Sequence, residues 1–127
     1  MNPTGTTAVR IAVVPIEIVE LQILRSKLQE LAEDGFGDLV KAVIDVDRRI
    51  MAVGGQMHAD EEAALISFGS AQSNLWGINL YPGLTTEDWI EFDSMINVRP
   101  SQGNRSRGVE SEELRRSIVA IVGELVK

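Results

Sequence analysis

The amino-acid sequence predicts an α+β fold of the two-layer sandwich type: a mainly antiparallel sheet of about five strands with helices on one face, in the order β-α-β-β-α-β-β-α. Three observations carry this expectation. Several short, β-branched apolar runs are joined by turns too short for a crossover, which favours antiparallel neighbours. Two longer segments each carry one apolar stripe at helical spacing. The chain has 127 residues, 44% of them hydrophobic, which is one domain's length with enough apolar side chains for one continuous core.

The elements follow in order. Residues 1–8 read as a disordered N-terminal tail and residues 9–127 as a single domain. Arg10-Ile-Ala-Val-Val14, stopped by Pro15, predicts the first strand. Leu21, Leu24, Leu28, Leu31 and Ala32 then fall at helical spacing, with Glu20, Arg25, Lys27, Glu30 and Glu33 on the other face, and Gly35 ends the pattern. Val40, Ala42, Ile44 and Val46 alternate with Lys41, Asp45 and Asp47, and a second apolar run starts at Ile50, so a β-hairpin is expected. Ala59 to Ile66 predicts a short helix ended by Gly69, its acidic start complementing the helix dipole, with His58 or Asp60 as its cap. Leu75 to Tyr81 reads as a strand turned by Pro82-Gly83, and Trp89 to Val98 as its hairpin partner. The last helix is expected from Ser111, with Leu114, Ile118, Ile121, Val122 and Leu125 as one stripe. Exposure of Trp76, Tyr81, Trp89 or Met95 on the other sheet face would be covered by a second copy, which predicts a homodimer.

Composition narrows the function classes. A formal net charge of −7 and a pI near 4.7 weigh against coating duplex nucleic acid or an anionic membrane. The absence of cysteine excludes disulfides, thiolate metal sites and a cysteine nucleophile, and fits the cytoplasm. The early apolar run is broken by Pro15 and Glu17, so neither a signal-peptide core nor a membrane span is expected. Gly54-Gly55 lacks the further glycines and lysine of a phosphate loop, and no other motif implies a cofactor.

Arg99-Pro-Ser-Gln-Gly-Asn-Arg-Ser-Arg107 is the densest polar segment, with Pro100 its one apolar side chain. Arginine suits planar, bidentate binding of carboxylate or phosphate, so Arg99, Ser101, Gln102, Asn104, Arg105 and Arg107 are the candidate ligand-binding residues for a small anion. Glu110, Glu112 and Glu113 compete for the same arginines, which leaves an internal clamp as the rival reading. His58, the one histidine, is the candidate general base, and Asp93 the second candidate catalytic residue. His58, Glu62 and Asp93 are also the candidate ligands for a metal ion. Asp45 and Asp93 lie in strand patterns, where acids are disfavoured; Asp45 is expected to face solvent beside Lys41, and Asp93 to pair with Arg99 or Arg105.

Phe36 to Asp45, Gly54 to Glu62, Leu75 to Pro82 and Trp89 to Arg107 together resemble a family of small bacterial proteins catalogued as a domain of unknown function. The resemblance runs from Phe36 to the final helix and implies membership and size, without an activity or ligand. Two functions therefore compete: a ligand-binding or interaction module holding an anionic group through the arginine loop, and a metal-assisted phosphoester hydrolase with His58 as base. A single-strand nucleic-acid binder using the tryptophans is a weaker third.

Overall fold

Residues with apolar side chains on both parities of a strand need cover on both sides of the sheet, and the middle strand of this protein is such a case. The computed structural model describes residues 15–127; the expected tail over residues 1–8 and the expected strand at Arg10 to Val14 lie outside the described residues. The described strands are β1 (Glu17–Val19), β2 (Val40–Asp45), β3 (Ile50–Val53), β4 (Leu75–Leu80) and β5 (Ile90–Glu91), and the helices are α1 (Arg25–Asp34), α2 (His58–Ser67) and α3 (Glu112–Leu125). They form one five-stranded sheet in the order β1-β3-β2-β4-β5, with antiparallel pairing throughout. The α+β class and the antiparallel sheet are as the patterning predicts.

Val40, Ala42 and Ile44 of β2, Met51 and Val53 of β3, Trp76, Ile78 and Leu80 of β4 and Ile90 of β5 join Leu28 and Ala32 of α1 and Ile118, Ile121, Val122 and Leu125 of α3 in the main core. Each buried aliphatic side chain in this layer stabilises the fold by about 1.5–3 kcal/mol relative to exposure. The opposite parity, Val43, Ile50, Ala52 and Leu75, meets Leu65 of α2 in a second, smaller core. The two long helices thus share one face as expected, while α2 lies across the other. This corrects the placement of all helices on one face: β2 and β3 are apolar on both parities, so one layer cannot cover them. Of the residues expected on the exposed face, Trp76 and Trp89 pack on the α1 and α3 side, whereas Met95 is 65% exposed.

Four local expectations are corrected. Helix α1 starts at Arg25, leaving Leu21 86% exposed, because Ile23 is held extended by a parallel bridge to Val126. Its N–H donates to the Leu125 carbonyl at 2.7 Å and its carbonyl accepts from Lys127 at 2.9 Å. The strand expected over Trp89 to Val98 is reduced to Ile90–Glu91, since Met95–Asn97 forms a 3-10 turn whose cap, the Ser94 hydroxyl, accepts from the Ile96 N–H. Beyond that point the Asn97 carboxamide replaces a strand: its Oδ1 accepts from Gly77 N–H at 2.8 Å and its Nδ2 donates to the Gly77 carbonyl at 2.9 Å. Asp45 is fully buried rather than solvated, its Oδ1 accepting the N–H groups of Asp47 and Arg48 to shape the β2–β3 turn. Ser111 caps α3 as expected, whereas α2 begins after Met57 with no side-chain cap. No helix among the described residues is long and apolar enough to cross a membrane.

Candidate functional site

Strand pairing places Lys41 of β2 opposite Asn79 of β4, and Asn79 opposite Glu91 of β5, so three polar residues form a row across the face that carries α2. The first residue of α2, His58, is packed over β4, next to that row. Gly77 makes this approach feasible: a Cβ there would sit 2.5 Å from Ser94 and 3.2 Å from the His58 ring. The result is a cleft of about 260 Å³ lined by Lys41, His58, Asn79, Asp93, Ser94 and Arg107, with Met57 and Met95 also on its wall.

Each polar group has a definable state. The Ile78 carbonyl can only accept, so the 2.8 Å contact with His58 Nε2 puts a proton on Nε2 and leaves Nδ1 as the unprotonated nitrogen of the neutral ring. Burial lowers the His58 pKa below its usual 6.5; the Ile78 hydrogen bond and Asp93 act in the opposite direction and Lys41 in the same one. Asn79 Nδ2 donates to Glu91 Oε1 at 2.9 Å and to the Asp93 carbonyl at 3.3 Å, which fixes the amide orientation; its buried Oδ1 is without a hydrogen-bond partner among the described residues. Arg107 Nε donates to Asp93 Oδ1 at 2.6 Å, so this ion pair, and not one with Arg99 or Arg105, is the role of Asp93. Arg107 is positioned by its carbonyl, which accepts from Ser94 N–H and from Asn97 Nδ2, both at 2.9 Å. Lys41 forms no ion pair among the described residues, and its Nζ lies 5.1 Å from the Phe36 ring centroid.

The arginine loop is distributed differently from the expectation. Arg99 is turned inward: Nε donates to the Ile96 carbonyl at 2.9 Å, Nη1 to that of Gln72 at 3.1 Å and Nη2 to that of Leu75. Glu62 lies 3.5 Å from Arg99 Nη2, and the guanidinium carbon stands 4.7 Å from the Trp76 ring centroid. Asn104 is buried, with Nδ2 donating to the carbonyls of Asn97, Ser106 and Gly108 and Oδ1 accepting from Glu110 N–H. Glu110 accepts the N–H groups of Arg105 and Ser106, and these bonds hold its carboxyl below the usual range. Arg99, Ser101 and Gln102 line a separate open cavity of about 430 Å³ together with Glu62, and the Arg105 side chain is exposed. The six candidates therefore do not line one cavity: Arg107 reaches the His58 cleft and Arg99 does not.

His58 and Asp93 do share a cleft, as the catalytic reading requires. Glu62 does not join them, being one turn further along α2 and beside Arg99, and among the described residues no group of three His, Asp or Glu side chains could hold a metal ion. Lys41, Asn79 and Ser94 escaped the sequence reading. The available signal was the parity of Lys41 and Asn79: both break apolar strands on the same face.

A family model described as protein of unknown function (DUF5674) matches residues 17–125. No curated protein matches the chain, and no solved structure does.

Proposed function

We propose, for a chain that belongs to the DUF5674 family and inherits no activity from it, that the cleft at the N-terminus of α2 binds a small anionic ligand. Lys41 carries the reading: it is a cation inside a strand of an acidic protein, without a carboxylate partner among the described residues, facing a cleft of about 260 Å³. Arg107 adds a second cation, neutralised in part by Asp93, so the cleft retains net positive charge while His58 stays neutral. A carboxylate or phosphate there gains charge-assisted hydrogen bonds in a partly desolvated setting.

Titration calorimetry with inorganic phosphate tests the reading. Lys41→Ala is expected to weaken binding about tenfold, equivalent to ~1.4 kcal/mol, whereas Arg99→Ala leaves affinity unchanged. Equal binding by the wild type and Lys41→Ala, or loss confined to Arg99→Ala, overturns it. The hydrolase reading retains one supporting observation, the unprotonated Nδ1 of His58 in the same cleft as Asp93. Turnover of an aryl phosphate that disappears in His58→Gln while phosphate binding persists would favour that reading.

A further inference from the structure

The polar cleft is not isolated. Lys41, Gln56 and Met57 also line a second cavity of about 400 Å³, whose remaining wall includes Leu31, Phe36, Leu39 and Val40. This chamber lies between the end of α1 and the Gly54-Gly55 turn, and Lys41 stands at the junction with its ammonium beside the Phe36 ring. Phe36 and Met57 are 49% and 58% exposed, so two large apolar side chains remain accessible next to an unneutralised cation. Such a pairing of one charged chamber with one apolar chamber fits a ligand that has both characters.

We propose that the ligand class is an aryl anion, a flat apolar body carrying one phosphate or carboxylate. The anionic group lies between Lys41 and Arg107, and the ring lies against Phe36, Leu39 and Met57. The inference rests on the anion-binding reading and adds the substrate class to it. The lining favours a flat ring, because Phe36 offers an aromatic surface and Met57 a flexible thioether to pack against it. Asp34, also on the chamber wall, sets the limit at that end, since a second anionic group there would meet its carboxylate.

Parallel calorimetric titrations with inorganic phosphate and phenyl phosphate test this. Phenyl phosphate is expected to bind the wild type at least about tenfold more tightly than phosphate, the size of advantage that partial burial of one ring provides. Phe36→Ala and Met57→Ala, both at exposed positions and so compatible with folding, are expected to remove most of that advantage, read in each variant as its own ratio of phenyl phosphate to phosphate affinity. Phosphate binding with no phenyl advantage, or an advantage untouched by both variants, overturns the aryl assignment while the anion site stands. Binding of neither probe overturns both.

Discussion

Arg99 and Lys41 are both half-buried cations beside the same sheet, and they differ in what surrounds the charge. Arg99 is surrounded by three backbone carbonyls, Glu62 and the Trp76 ring, so every nitrogen of the guanidinium has a protein partner. Lys41 lines a cleft and forms no ion pair among the described residues. The difference follows from where the chain places polar backbone. The 3-10 segments Gln72–Asn74 and Met95–Asn97, on either side of β4 in sequence, offer the Gln72 and Ile96 carbonyls outside strand pairing, and a guanidinium with five donors is suited to collecting them. Lys41 lies in a paired strand opposite Asn79 of β4, and its ammonium has no ion-pair partner among the described residues. Arg99 thus fastens the loop to the fold, and Lys41 is the charge on which the proposed anion site rests.

The comparison can be broken most forcefully at Asn97. Asn97→Ala leaves the Gly77 N–H and carbonyl without their partner and removes one of the two bonds to the Arg107 carbonyl, and should destabilise the protein by about 2 kcal/mol at ~1 kcal/mol or more for each buried group left unsatisfied. Urea unfolding measures it, and a loss below about 1 kcal/mol would show that the loop is not a clamp. A smaller, pH-dependent effect sharpens the cleft side. Burial raises the Glu61 pKa well above 4.5, opposed by the hydrogen bond its Oε2 accepts from Gly55 N–H at 2.9 Å. A raised folded pKa means that the stabilisation is complete below the ordinary carboxylate range and is lost as pH rises through the folded value. Glu61→Gln retains the acceptor without the charge, so it should remove that decline and be more stable than wild type at alkaline pH; parallel pH profiles of the two unfolding midpoints would refute this. The smallest effect is at Arg107. Its pair with Asp93 is about half exposed, so Arg107→Gln should cost at most about 1 kcal/mol of stability. The same variant should weaken phosphate binding several-fold, in contrast to Arg99→Ala.

The helices show how far patterning reaches. Ile118, Ile121, Val122 and Leu125 were readable as the buried stripe of α3, and all are buried, because a helix's facing residues are set by its own period. Leu21 and Leu24 fit the same period and are exposed, because a bridge between residues 23 and 126 overrides local spacing, and nothing near Leu21 announces its distant partner. The site was legible in the same partial way. His58 and Asp93 were identifiable from residue type, and their meeting in one cleft was foreseeable only as a requirement. Lys41 and Asn79 were visible as polar breaks in apolar strands, while their adjacency depended on the β2–β4 register.

The sequence by itself determined the class of fold, the segments that become helices and the hairpin of β2 and β3. These depend on side-chain period and turn chemistry, which are local. Tertiary structure alone decided that α2 crosses to the second face, that Arg99 turns inward while Arg107 reaches the His58 cleft, and that Lys41 lies opposite Asn79 on the wall of that cleft. The loop's nine residues specify donors in abundance; which acceptors they meet depends on carbonyls and carboxylates brought from α2, β4 and the turns between, and only the folded chain supplies those together.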